Sequence, residues 1–389
     1  MEVTLLKFDT KKSSLPAGRR GIDWVAFGCA LLLALLGLVT MNSFQTEDPF
    51  FVRQSIWILA GVAVFFIAAK VDWRFLRRGS TVTILFAAVL VPLVVLIVFG
   101  TATKGAKSWF DFGGFALQPV EFVKLALIIV LAKYFSRRHI EIANIRHILV
   151  SGAYAAAVFV LVALQPDFGS AIIIALIWLG LVLLSGISRA HLFAVVGLGV
   201  VAFAGLWFFG FEDYQKTRVL TFIYPLADIH GAGYNAYQST VAVGSGEFLG
   251  KGIGYGTQSK LRFLPEYQTD FIFAAFAEEW GFVGVMLLFS LYGALFWRII
   301  TAALRGASNF ETLFALGILC YFGAHFLLHV GINVGLLPVT GTTIPFMSYG
   351  GSHLLAEFLA LGMLSGMGSY ALAGRRDAGG EWSGGYDSK

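Results

Sequence analysis

Residues able to do chemistry crowd into one polar stretch, Glu212 to Asp270, and most densely into its last part, GSGEFLGKGIGYGTQSKLRFLPEYQTD. Lys216, Arg218, Lys251, Lys260 and Arg262 supply cations there, while Glu266 and Asp270 supply carboxylates. A connection longer than about fifteen residues is usually either functional or disordered. The Tyr, Phe and Leu content of this one argues for a structured loop. Glycines at 250, 252, 254 and 256 alternate with other residues, which lets backbone approach a ligand closely. They lack the strand-then-helix setting of a nucleotide fingerprint, so nucleotide binding is excluded. Asp270 closes the stretch where an apolar run begins. A carboxylate there suits either a helix N-cap or a general base.

Ionisable groups inside apolar runs are rare and expensive, and they point to function by default. Glu121 and Lys124 stand three apart, on one face of a helix. They read either as a bracing ion pair or as a lysine held by Glu121 at an outward cavity to meet an anion. Gln165 and Asp167, in LQPDFGSAI, either cap the helix that follows or line the same cavity. Glu278 and Glu279 begin about 12 Å along the helix from Asp270, so 271–279 reads as a cavity-facing extension with the span proper starting near Trp280. His325, His329 and Asn333 fall on one stripe at i, i+4, i+8. Histidines so spaced can bind zinc, but no third carboxylate or cysteine ligand is apparent, so interhelical hydrogen bonding is expected. The loop GLLPVTGTTIPFMSYGGSH that follows reads as a folded re-entrant or lid-like segment with exposed backbone N–H groups.

The elements that must position these groups are membrane helices. The chain is 58% hydrophobic and 13% charged, far from the roughly 25% charged of soluble domains. Spans are expected near 22–41, 52–69, 81–100, 119–135, 148–164, 169–187, 192–211, 271–298, 313–336 and 351–373. This is an all-α polytopic membrane protein of about ten transmembrane helices, with Pro92 kinking the third. The first run reads as an uncleaved span, since no small-residue cleavage site follows it. Cys29 and Cys320 lie inside apolar runs, so no disulfide framework is implied. The net charge of +5 reports topology rather than a nucleic-acid partner. Basic residues gather in the N-terminal tail, after the even-numbered spans and in the C-terminal tail, 19 of the 28 on one side. Arg53, Lys104 and Lys107 alone mark the short loops opposite. Both termini are therefore cytoplasmic, and the large loop between helices seven and eight is extracytoplasmic. The organisation expected is a cytoplasmic tail at 1–21, one membrane domain at 22–373 with the loop 212–270, and a disordered cytoplasmic tail at 374–389.

Six strings occur in the order of the SEDS family, named for shape, elongation, division and sporulation. They are GAKSWF (105–110), QPVEFVKLAL (118–127), QPDFGSA (165–171), GYNAYQSTVAVGSGEFLGKGIGYGTQ (233–258), LPEYQTDFIFAAFAEEWGF (264–282) and LPVTGTTIPFMSYGGS (337–352). GKGIGYGTQ looks more like the elongation member than the division member. The resemblance implies a peptidoglycan glycosyltransferase polymerising lipid II on the outer face of the bacterial cytoplasmic membrane, beside membrane lipids and a class B penicillin-binding protein that cross-links the glycan. Asp270 matches the family's essential aspartate, and Glu121 and Lys124 match its functional pair. The same strings nominate further substrate-binding residues: Lys107, Trp109, Gln165 and Asp167; Gln238, Ser239, Lys251 and Gln258; and Glu266, Ser348 and Tyr349. Arg218, outside the strings, joins them as a cation of the large loop. Departures are Ser108 for Arg, Val120 for Ser, His329 for Asn, His353 for Ser, and MNSFQ at the end of helix one.

The chemistry implied is an inverting transfer in which Asp270 takes the proton of a sugar 4-hydroxyl, an effect typically worth about 10²–10⁴ in rate. Lys124 and Arg218, with a possible divalent cation (Mg or Mn), would stabilise the departing diphosphate. A lipid II flippase or transporter is the rival reading, and a non-catalytic scaffold for a penicillin-binding protein the third. Polar groups crowd the outer half, whereas alternating access needs a midplane site. That placement favours an enzyme.

Overall fold

The computed structural model describes residues 22–43, 50–77, 79–100, 108–111, 116–137, 145–224, 231, 233–261 and 263–380. Lys107 and Arg262 lie outside them. Helices occupy all ten segments expected to span: α1 (Trp24–Asn42), α2 (Phe50–Lys70), α3 (Gly79–Phe99), α4 (Pro119–Ser136), α5 (Ile145–Ala163), α6 (Phe168–Leu184), α7 (Arg189–Gly205) and, after the large loop, α11 (Ile272–Leu304), α12 (Asn309–Asn333) and α13 (Gly351–Gly380). Among the described residues, seven helices are long and apolar enough to cross a membrane, so this is a multi-pass membrane protein. The other three segments are α4, which carries Glu121, Lys124 and Lys133, α6, which is short, and α13, which opens with His353 and Glu357. A two-residue ribbon, β1 (Phe110–Asp111) paired antiparallel with β2 (Ala116–Leu117), is an exception to an all-helical chain.

Local sequence sets the helix ends. Asp23 accepts from the Ala26 N–H to cap α1, Asp167 from Ser170 to cap α6, and Ser188 from His191 to cap α7. Pro119 starts α4, where its missing N–H costs nothing. Pro92 lies inside α3, which continues past it.

Helix α4 is the axis of the bundle, buried over nearly its whole length against α3, α5, α6, α12 and α13. Small residues allow the closest approaches, as expected where lipid gives helices no hydrophobic reason to associate. Gly61 of α2 faces the Phe358 ring of α13, and Gly362 lies on the Phe65 carbonyl. At the end of the bundle that holds the start of α1, Asp23 pairs with Arg298 at 2.8 Å, and Arg77 pairs with Glu311. By contrast α7, which continues into a π-helical turn (Leu206–Gly210), buries none of its side chains and stands off the bundle.

The large loop is folded, with α8 (Asp213–Ile223), α9 (Tyr234–Ser245) and the single turn α10 (Thr257–Lys260). Its last part is built into a break in α11. Gly281 has φ 63° and ψ −166°, which interrupts the helical hydrogen-bond ladder. The carbonyls freed before the break, those of Glu278 and Glu279, accept from Lys251 and Gly252 N–H at 3.0 Å each. The N–H groups freed after it, on Phe282 and Val283, donate to the carbonyls of Glu247 and Phe248. The loop therefore replaces the bonds that the break removes, as buried backbone requires. Of the four alternating glycines, Gly250 approaches backbone closely, and that backbone is the protein's own. A Cβ on Gly246 would lie 2.0 Å from the Ala277 carbonyl oxygen, and one on Gly250, 2.1 Å from that of Glu279.

Candidate active site

Asp270 sits on a turn nucleated by Glu266, whose φ of 52° lets its carbonyl accept from the N–H groups of Thr269, Asp270 and Phe271. Phe271, rather than Asp270, occupies the N-cap position of α11. The orphan N–H of Ala274 is taken by Asn333 Oδ1 at 3.0 Å, while Asn333 Nδ2 donates to the Asp270 carbonyl at 2.9 Å and to that of His329 at 2.8 Å. Ser239 Oγ of α9 donates to the Asn333 carbonyl. On the other side Ser348 Oγ donates to the Thr269 carbonyl at 2.9 Å, and Tyr349 N–H to the Gln268 carbonyl at 2.8 Å. Three elements thus fix the Asp270 backbone, and its half-buried side chain faces Gly341. A Cβ at Gly341 would stand 3.4 Å from Asp270 Oδ2, so the connection between α12 and α13 walls this carboxylate.

That wall is held from beneath by α12. His325 Nδ1–H donates to the Thr343 carbonyl at 3.0 Å, and His329 Nδ1–H to the Thr342 carbonyl at 2.7 Å. The two histidines and Asn333 form the expected polar stripe, spent on hydrogen bonds. Behind them lies a buried charge cluster. Lys124 Nζ donates to Glu121 Oε1 at 2.8 Å and to His325 Nε2 at 3.3 Å. Tyr321 Oη donates to Glu121 Oε2 at 3.1 Å, and His353 Nδ1 to the same oxygen at 2.9 Å. His353 Nε2 lies 2.9 Å from Glu357 Oε1, and Glu357 Oε2 accepts from the Phe346 N–H at 2.7 Å. Lys124 is fully buried. Its ammonium therefore faces this network, which fits the bracing ion pair of the two readings better than a lysine lining a cavity.

The remaining candidates fall in three places. Gln165 donates to the Leu93 carbonyl, its own carbonyl accepts from Ser108 Oγ, and Trp109 beside Ser108 is half-buried. Asp167 accepts from Gln118 Nε2 at 3.1 Å as well as capping α6. Burial pushes its carboxyl above the ordinary range. Lys251 Nζ pairs with Glu278 Oε1 at 2.7 Å, and that carboxylate also accepts from the N–H groups of Thr257 and Gln258. Glu278 and Lys251 thus clamp the loop onto α11. Gln238 on α9 is half-exposed and Arg218 on α8 exposed. The structure therefore gathers Ser239, Glu266, Ser348 and Tyr349 around Asp270, and puts Lys251 and Gln258 on Glu278. Sequence reasoning passed over Tyr321, Glu357 and the role of His353. An acid four residues after a histidine in an apolar run was the available signal.

Glu121, His325 and His353 bring three ligand-type atoms within 4.8 Å of one another, the group among the described residues that could hold a metal. A carboxylate does therefore lie beside His325 of α12, contrary to the sequence reading. Two nitrogens and one oxygen suit magnesium or manganese poorly. Lys124 also uses the free lone pair of His325 and one Glu121 oxygen. The cluster already contains its cation.

A sequence model of the FtsW, RodA and SpoVE family, described as cell cycle proteins, matches residues 21–371. The chain belongs to the SEDS family. Stage V sporulation protein E of Bacillus subtilis is 34% identical over 352 residues, covering 88% of this chain and 95% of its own. Peptidoglycan glycosyltransferase MrdB of Escherichia coli K12 is 35% identical over 341 residues, covering 86% and 90%. The fold of this SEDS protein matches a chain solved in a study of structural coordination of polymerization and crosslinking by a peptidoglycan synthase complex. There the TM-score is 0.77 at 29% identity, covering 90% of this chain and 98% of that one. Rod shape determining protein RodA of Thermus thermophilus matches with TM-score 0.68 at 28% identity, covering 89% and 96%.

Proposed function

We propose that this SEDS protein polymerises lipid II into glycan strands during cell-wall elongation, with Asp270 as general base. The observation that carries the reading is Asp270 itself, a half-buried carboxylate on a backbone held by α12 and the Glu266 turn, with the α12–α13 connection holding its neighbours Thr269 and Gln268. A base so fixed can take the proton of a sugar 4-hydroxyl as that oxygen attacks the anomeric carbon of a second molecule. The bond to the diphosphate breaks on the opposite face, so the anomeric centre inverts. Arg218, exposed on α8, is the cation this reading assigns to the departing diphosphate. Glu121 and Lys124 support the wall beside Asp270 instead of touching substrate.

In this reading ten helices cross the bacterial cytoplasmic membrane, Asp270 opens on its outer face, and lipid tails lie between α7 and the bundle. A class B penicillin-binding protein cross-links the product. The relative named as peptidoglycan glycosyltransferase MrdB and the match to a chain of a peptidoglycan synthase complex support it. The test is the purified protein in detergent with fluorescent lipid II, alone and with its transpeptidase. A glycan ladder is expected. No ladder under either condition would contradict the reading.

A further inference from the structure

His353 is the one residue of the buried cluster that joins two carboxylates. Its Nδ1 donates to Glu121 Oε2 at 2.9 Å, and its Nε2 stands 2.9 Å from Glu357 Oε1, an ion-pair contact whose angle lies outside hydrogen-bond geometry. A neutral imidazole has one N–H and one lone pair, so it would aim that lone pair at a carboxylate unless Glu357 held the proton. An imidazolium turns an N–H and positive charge toward both carboxylates. The charges agree. His325 is held neutral, with Nδ1–H on the Thr343 carbonyl and Nε2 accepting from Lys124. With Glu121 and Glu357 ionised and Lys124 and His353 charged, two anions meet two cations, as burial demands. A bound divalent metal would instead leave the cluster with excess positive charge.

The cluster is mechanically joined to the wall beside Asp270. Glu357 grips the Phe346 N–H, and φ at Phe346 is 63°, a conformation a phenylalanine keeps only when held. Two residues on, Ser348 Oγ accepts from the Ile344 N–H and donates to the Thr269 carbonyl, next to Asp270. We propose that His353, as an imidazolium bridging Glu121 and Glu357, is a positioning residue for polymerisation that locks the α12–α13 connection against Asp270. The other groups facing it are Lys124 of α4 and Tyr321 and His325 of α12. The inference rests on Asp270 acting as the base.

The test uses the full-length protein in lipid vesicles with ¹⁵N-labelled histidine. The signal that disappears in His353→Ser identifies the residue, and at neutral pH both its ring nitrogens should be protonated. A single protonated nitrogen, or stoichiometric zinc in the purified protein with a metal-shifted signal, would overturn the proposal. The second arm is the double variant His353→Gln/Glu357→Gln, which removes one charge of each sign and so leaves the cluster balanced. Its melting temperature should stay near wild type, with KM for lipid II within about twofold and kcat down about 10- to 100-fold, the scale of a misplaced catalytic geometry. A fully active double variant would also overturn it. If the wild-type protein makes no glycan at all, the functional reading fails, while the nitrogen signals still report on the bridge.

Discussion

At the scale of single residues, the Glu121–Lys124 pair is the clearest case where burial decides the outcome of substitution. Glu121→Gln strands Lys124 and removes one anchor of His353, so it should cost roughly 3–5 kcal/mol. Lys124→Met leaves Glu121 facing His353 and Tyr321, so its melting temperature should fall less. The double variant should regain most of the loss. Thermal melts of the three in detergent check the order, and the double variant's glycan yield separates a brace from a functional pair. Asp167 gives a second contrast. Asn keeps the cap of α6 without the buried charge, so Asp167→Asn should melt within about 0.5 kcal/mol of wild type and Asp167→Ala about 1 kcal/mol below. Loss of polymerisation already in the well-folded Asn variant would assign the charge itself to the site. Asp270, Glu121 and Lys124 were legible in the sequence because charge beside apolar runs is conspicuous. The partners of Glu121 were not, since His353 meets it across 232 positions of chain.

At the scale of elements, the broken helix α11 and the loop seated in it form one unit. Gly250 has φ +81° and lies on the Glu279 carbonyl, so Gly250→Ala needs both a strained backbone and a displaced helix. We expect a loss of roughly 3 kcal/mol and a loop opened to protease. Gly252→Ala meets nothing closer than the Tyr255 side chain at 3.4 Å and keeps only its φ strain, worth about 1 kcal/mol. Equal melting temperatures for the two variants would refute this account of the break. The apolar runs fixed where the long helices lie, because span length and hydropathy are local properties. The break at Gly281 depends on a loop about thirty residues upstream, so only the polar pair Glu278–Glu279 hinted at it. The same limit hid the fate of Lys251, which reads as a ligand-binding cation until Glu278 is placed beside it.

At the scale of the whole molecule, the question is whether the bundle moves lipid or joins sugars. The buried charges are tied to the Asp270 wall through α12 and α13, His325 and His329 hold that wall, and Asn333 holds the Asp270 backbone. Such an arrangement suits a fixed catalytic geometry better than a site that must open to each side in turn. Six short strings were enough to place the chain in its family, and the family match over residues 21–371 agrees. How those strings meet in space needed the fold. The central claim is that one carboxylate does the chemistry, and Asp270→Asn tests it most directly. Asn keeps the size and shape of this side chain, and the backbone bonds around Asp270 stay in place, so the variant should express and melt close to wild type. Incubated with lipid II in detergent, it should give no glycan ladder. A ladder of normal length and yield from the folded variant would contradict the account.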